Sequence, residues 1–205
     1  MTKTKLLLLD VNGTFNQCKS DPKGFINDDP FDQEIIPAAA ATIARYAADG
    51  WVIQGVSNQA GVHYGHKSLY SCIEEMDYTL QLVPQLRCLY FCPDLGDTCY
   101  AVYRPWLGFL RWGNVRRFNG GMGDDSRYAL GGFRKPQPGM LILATNRFLE
   151  SLAMKQLLEG VEVLMVGDRP EDKGAAIAAA GWLAERESKV TLNFLDADIW
   201  RSVNF

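Results

Sequence analysis

Histidine is scarce in this chain of 205 residues: His63 and His66 are the only two. Both lie well upstream of Cys92 and Cys99 in FCPDLGDTCY, so that cysteine pair lacks the four Cys or His ligands of a closed zinc site. Cysteine itself is odd in number, five in all, and irregularly spaced, which excludes a disulfide framework and fits reduced thiols in the cytoplasm. Near the start the only uninterrupted aliphatic run is Leu6 to Leu9, too short for a membrane span or a signal-peptide core. Internal repeats and low-complexity tracts are absent. The net charge of −3 is too small and of the wrong sign for a molecule that binds nucleic acid over its whole surface.

What is present is ordinary globular composition, 47% hydrophobic and 22% charged, which excludes a disordered chain. A chain of this length buries roughly 70% of its unfolded surface and needs no disulfide or metal to hold a core. A single domain over residues 1–205 is expected, with an insertion at about 93–133. Charge is uneven: from Tyr100 to Lys135 seven basic residues face two acidic ones, a local +5 that leaves −8 elsewhere.

KLLLLDVNGT reads as a buried parallel strand that stops at a polar turn. Residues 15–36, rich in Asp, Pro, Gly and Asn, read as a loop or flap with little regular structure. PAAAATIARYAA predicts a helix from Pro37 to Ala48, ended by Asp49-Gly50. WVIQGVSN is a second strand. A weaker helical period through Leu69, Ile73, Met76 and Leu80 follows and stops at Pro84. LRCLYFC is a third strand, and residues 93–133 show no clean period. A helix is expected from Pro138 to about Leu158 with a break or bend, then VEVLMVGD as a fourth strand and PEDKGAAIAAA as another helix. A fifth strand falls around Leu192 to Leu195, and the tail with Trp200 and Phe205 is expected to pack across the sheet edge.

Alternating strands and helices imply an α/β, Rossmann-like three-layer domain with a central parallel sheet and right-handed crossovers. In such a sheet the ligand crevice lies at the carboxyl ends of the strands. Asp10, Ser57-Asn58 and Gly167-Asp168 all sit at such ends, and Asp172 lies one helical turn past Asp168. Carboxylates gathered there repel one another unless a hard cation joins them, and Mg2+ takes one or two carboxylates plus water and phosphate oxygens. With Ser57 as a hydroxyl donor and Lys135 as a compact cation, the set suits a tetrahedral dianion. An aspartate beside that phosphate can act as nucleophile and form an aspartyl-phosphate.

Asp10-Val-Asn-Gly-Thr14, Ser57-Asn-Gln59, Arg134-Lys-Pro136 and Gly167-Asp-Arg-Pro-Glu-Asp172 resemble, in order, the four motifs of the haloacid dehalogenase (HAD) phosphatase superfamily. The resemblance is to its capless subclass III (IIIA), which includes heptose-bisphosphate phosphatases, histidinol-phosphate phosphatases and the 3′-phosphatase domain of polynucleotide kinase/phosphatases. It spans residues 5–182 and implies a HAD-like fold without a large cap. It implies that Asp10 is the nucleophile and a Mg2+ ligand, and that residue 12 binds the metal through its carbonyl. Ser57, Asn58 and Gln59 would hold the phosphoryl group, and Lys135 would neutralise it. Asp168 would be the second metal carboxylate, with Asp172 supporting Lys135 or the metal's waters. Arg134 and Arg169 would meet substrate phosphate.

Two departures matter. The family's general acid/base aspartate, two residues after the nucleophile, is replaced by Asn12, whose amide has no titratable proton; help worth roughly 10²–10⁴ in rate is therefore missing. Asn12 fits an Asp→Asn substitution made to trap an intermediate, a naturally slow enzyme, or a phosphate-binding pseudoenzyme. In heptose-bisphosphate phosphatases a Cys/His zinc cluster precedes the Arg-Lys-Pro motif, but here Asp94 and Phe133 stand where ligands would be. Zinc is therefore not expected, and Mg2+ is the expected cofactor.

In place of that cluster is a basic, aromatic segment, with Tyr103, Trp106, Phe109, Trp112 and Phe118 among arginines. That composition can track a sugar–phosphate backbone while stacking bases, or can simply pack the insertion onto the sheet. The expected partner is a phosphorylated small molecule or a nucleic-acid end, with no membrane and with the chain a monomer or weak homodimer. His63 and His66 read as surface residues that line the substrate mouth at most.

Overall fold

The computed structural model describes residues 4–104, 114–120, 132–153 and 160–202. Its first strand, β1 (Thr4–Leu9), carries the four leucines, all fully buried. Side chains alternate across a strand, so Leu6 and Leu8 enter one hydrophobic layer while Leu7 and Leu9 enter the other. Each such leucine contributes roughly 1.5–3 kcal/mol by leaving water. That is why this segment is the centre of the sheet.

The remaining strands are β2 (Asn16–Cys18), β3 (Gln33–Ile35), β4 (Val52–Asn58), β5 (Leu86–Cys92), β6 (Thr98–Tyr103), β7 (Val115–Asn119), β8 (Val161–Gly167) and β9 (Val190–Asp196). The helices are α1 (Pro37–Ala48), α2 (Leu69–Leu82), α3 (Gly139–Ala153), α4 (Pro170–Arg186) and α5 (Ala197–Ser202). Among the described residues the main sheet has the order β7-β6-β5-β4-β1-β8-β9. The run from β5 to β9 is parallel, whereas β6 and β7 return antiparallel. Helices α3 and α4 cover the Leu6/Leu8 face, and α1, α2 and α5 cover the other. This is the α/β three-layer arrangement expected from the sequence.

Three expectations need correction. Residues 15–36 are not wholly irregular, because β2 and β3 form an antiparallel ribbon. Its side-chain bond from Asn16 Nδ2 to Gln33 Oε1 (2.6 Å) pins it, and Gln33 is itself held by Thr79 and the Glu75 carbonyl of α2. Residues 93–133 contain β6 and β7, which extend the sheet beyond β5. On α2 the expected Met76 and Leu80 are buried and Leu69 and Ile73 partly buried against the same layer, but the buried stripe is wider than expected and takes in Cys72, Glu75 and Thr79. Helix α3 is described to Ala153, and the rest of the helix expected to run to about Leu158 lies outside the described residues.

The tail forms α5. Trp200 is fully buried and its ring lies 6.1 Å from that of Tyr46 on α1, so it packs in the α1 layer. Phe205 lies outside the described residues. No described helix is long and apolar enough to cross a membrane.

Candidate active site

Parallel strands expose their carboxyl ends at one edge, and there the chain delivers its polar groups. Asp10 follows β1, its amide fixed to the Val166 carbonyl of β8 (2.8 Å). Ser57 and Asn58 end β4, Asp168 follows β8, and Asp172 lies in the first turn of α4. Lys135 arrives in the connection that enters α3.

Lys135 is the hub of this group. Its Nζ donates to Asp10 Oδ1 (2.5 Å) and the Val56 carbonyl (3.1 Å), and pairs with Asp172 Oδ1 (2.6 Å). The ammonium is 2% exposed, and burial alone would lower its pKa. The two carboxylates more than offset that and leave it raised. Removing one member of a buried pair of this kind costs about 3–5 kcal/mol. Asp172 is held in turn, its Oδ2 accepting from the Arg169 amide (3.1 Å) at the start of α4.

Burial pushes Asp10 up from 3.8 to about 6; Lys135 opposes the shift, while Asp172 and Asp168 reinforce it. Desolvation also raises Asp168, against the pull of Arg169. Both shifts mark carboxylates short of positive charge. Oxygens of Asp10, Asp168 and Asp172 lie within 4.8 Å of one another. Three hard oxygen donors at that spacing fit Mg2+. The backbone is shaped for the cluster as well. A side chain at Gly13, whose φ is +89°, would run into the Asp168 carboxylate, and one at Gly167 would run into that of Asp172. Thr14 was not singled out as a site residue, yet its hydroxyl reaches both Asp10 Oδ2 (3.3 Å) and Asp168 Oδ1 (3.4 Å).

Asn58 and Gln59, expected as phosphate contacts, line the cavity and also bind other groups of the site. Asn58 donates to the Lys135 carbonyl (2.9 Å) and accepts from its amide (3.0 Å), so its side chain clamps the lysine backbone. Gln59 points its amide nitrogen inward, to Ser57 Oγ (3.1 Å) and Glu75 Oε1 (3.3 Å). The Asn12 side chain lies near the same Glu75 and helps to hold its carboxyl down, and its Oδ1 is buried with no partner.

A cavity of about 350 Å³ opens over these groups. Asp10, Asn12, Ser57, Lys135 and Asp172 form its floor and walls, and Arg134 and Arg169 also line it. Arg134 Nη1 is buried without a partner. At the rim stand two exposed rings the sequence did not single out, Phe25 (66% exposed) and Tyr64 (61%), with the Arg169 guanidinium 5.6 Å from the Phe25 ring centre. His66 lines the cavity from the exposed loop before α2, and His63 does not. Arg201, also unforeseen, reaches from α5 to the Gly13 and Thr14 carbonyls (2.7 and 2.6 Å) and ties down the turn after Asp10.

The loop between β5 and β6 is organised by Asp94. Its Oδ1 accepts from the amides of Gly96 (2.9 Å), Asp97 (2.9 Å) and Thr98 (3.2 Å). Burial pushes the Cys92 thiol up to about 12 and holds that of Cys99 well above its ordinary value. Phe133 is fully buried in the core. In the basic, aromatic segment Phe118 is buried, Arg116 lies over its ring, and Arg117 lies over Tyr100. These are packing contacts within the sheet. Trp106, Phe109, Arg111, Trp112 and Arg127 lie outside the described residues.

Comparison of the architecture with solved structures places it. A D,D-heptose 1,7-bisphosphate phosphatase from B. bronchiseptica, solved with magnesium and phosphate, superposes with a TM-score of 0.52 at 21% identity, over 93% of this chain and 92% of that one. The fold is that of the HAD-like phosphatases. A protein from Mesorhizobium loti described as a HAD-like phosphatase gives 0.55 at 22% identity, over 86% of this chain and 69% of its own. No protein-family model matches the sequence, and no curated protein does. The HAD-like fold is thus carried by a sequence that has drifted far from both structures.

Proposed function

We propose that the chain is a Mg2+-dependent phosphomonoester hydrolase that works through an aspartyl-phosphate on Asp10. The observation that carries this reading is the placement of Asp10 between the buried Lys135 ammonium and the Asp168/Asp172 carboxylates, at the floor of an open cavity. Lys135 holds one Asp10 oxygen and keeps the carboxylate oriented. Ser57 and the turn after β1 present donors to the phosphoryl oxygens. Mg2+ held by Asp10, the residue 12 carbonyl and Asp168 would supply charge neutralisation at the phosphate. Asp172 serves Lys135 directly, through their 2.6 Å pair.

The cavity is at the small end for a ligand site, which suits a phosphorylated metabolite or the terminal nucleotide of a nucleic acid bearing a 3′-phosphate. Likeness to a heptose-bisphosphate phosphatase supports a sugar phosphate. The exposed Phe25 and Tyr64 rings beside Arg134 and Arg169 support a leaving group with a flat face and a second negative charge. One observation favours a second reading: Asn12 lacks the proton that the reaction normally borrows, which suits a module that binds phosphate without turnover.

Trapping separates the two. The chain is incubated with Mg2+ and a substrate radiolabelled in its phosphate, then quenched in acid. Label on the Asp10 peptide, removable by hydroxylamine, is expected. Phosphate release without labelled protein would overturn the aspartyl-phosphate step, and bound phosphate with neither label nor release would leave the binding module.

A further inference from the structure

The α2 layer holds a buried ion pair that the catalytic scheme above leaves unused. Glu75 is fully buried, and its carboxylate meets Lys67 Nζ, Gln59 Nε2 and the Asn12 side chain. Burial of a carboxylate on the apolar stripe of a helix is costly, and here burial does raise Glu75 despite Lys67. A pair kept at that cost, with Lys67 in the wall of the cavity that Asn12 also lines, invites a role in proton transfer.

Lys67 is the member that reaches the cavity wall, with its side chain 5% exposed. Lys135, the other lysine of the cavity, has all three protons committed to Asp10, Asp172 and the Val56 carbonyl. Lys67 has one committed, to Glu75, and among the described residues no partner takes the others. Arg134 and Arg169 hold their protons too tightly to give them up.

We propose that Lys67, held by Glu75, is the proton donor to the leaving group, taking the place of the aspartate absent at position 12. The inference rests on the phosphatase reading of the same site. As the Asp10 carboxylate bonds to phosphorus, the bond from phosphorus to the leaving oxygen breaks and its electron pair stays on that oxygen. Lys67 transfers a proton to it and becomes a neutral amine beside Glu75. In the second step the amine takes a proton from the water that attacks the aspartyl-phosphate, so phosphate leaves and the ammonium is restored. Glu75 is the positioning residue, and Gln59 links it to Ser57.

The test compares leaving groups in a single turnover with Mg2+. Nitrophenyl phosphate expels a stabilised phenolate that needs no proton, and glycerol phosphate expels an alkoxide that does. Two variants are used: Lys67→Arg, which keeps the ion pair but cannot give up a proton, and the double variant Lys67→Met/Glu75→Gln, which leaves no buried charge unpaired. Melting curves confirm that each is folded. The ratio of glycerol release to nitrophenolate release should fall about 10²-fold in both. A parallel fall for the two substrates, or no fall, would overturn the assignment and leave Lys67 a structural residue. Absence of nitrophenolate release from the unmodified chain would instead overturn the phosphatase reading itself.

Discussion

Asn58 grips the backbone of Lys135 with two hydrogen bonds, accepting from its amide at 3.0 Å and donating to its carbonyl at 2.9 Å across 77 residues of sequence. The tip of β4 therefore sets where the lysine backbone sits, and the lysine in turn sets one oxygen of Asp10. Asn58→Ala should lower kcat about 10²-fold, because small misplacements of reacting groups carry penalties of that size. Stability should fall by about 1–3 kcal/mol from the unpaired buried groups. Steady-state kinetics and urea melts measure both, and a raised KM at constant kcat would return Asn58 to direct substrate contact.

Asp10→Asn should abolish turnover and, in the absence of Mg2+, cost less stability at neutral than at acid pH, because the loss of the Lys135 pair is offset once the parent carboxyl has to ionise. The sign follows from the raised pKa. A carboxyl at about 6 in the folded protein and 3.8 unfolded binds its proton more tightly when folded. Stability from this group is full below the unfolded value and is lost as pH rises through 6, by about 3 kcal/mol. The Tm of the variant relative to that of the parent should therefore rise from pH 4 to pH 7. A constant difference over that range would contradict the assignment.

Mg2+ affinity should weaken as pH falls through about 6, because the cation must displace the proton held by Asp10. Asp168, also raised, adds to the effect. Titration calorimetry in two buffers of different protonation enthalpy should detect proton release on binding near pH 6. Equal heats in both buffers would exclude the linkage.

Gly13→Ala should cost about 1–2 kcal/mol for its left-handed backbone and displace the Asp168 carboxylate from the metal cluster. Loss of Mg2+ affinity of tenfold or more is expected, with Asp94→Ala, in a loop away from the cluster, serving as a control that destabilises without weakening Mg2+. A Gly13→Ala protein that binds Mg2+ normally would show that the metal sits elsewhere.

How much of this was legible in the sequence depended on whether the signal was local. Helix α1 was read to the residue because Pro37 and Asp49-Gly50 are local punctuation, and β5 because LRCLYFC is apolar apart from Arg87. Strands β6 and β7 were missed. Arg116 and Arg117 break any apolar alternation in β7, and its pairing is fixed by β6 instead of by its own residues. The β2–β3 ribbon likewise depends on Gln33 finding Thr79 and the Glu75 carbonyl on a distant helix.

The site divides the same way. Asp10, Lys135, Asp168 and Asp172 could be found because strand ends converge at one edge of a parallel sheet. Arg201 and Lys67 gave no signal, since a basic residue beside a helix end usually faces water. Glu75 did leave one: an acid on the same helical stripe as Cys72, Met76 and Leu80 is out of place unless something buried needs it. Asn58 and Gln59 do line the crevice, and their bonds to the Lys135 backbone and to Glu75 were not foreseen, because a sequence does not show which way an amide points.

The decisive measurement is phosphate release with Mg2+ from glycerol phosphate, compared among the unmodified chain, Asn12→Asp and Asp10→Asn. Slow release is expected from the chain, release faster by about 10²-fold from Asn12→Asp, and none from Asp10→Asn. Binding of Mg2+ and phosphate by all three with release from none would contradict the phosphatase reading, and would make the site a phosphate receptor built on a phosphatase fold.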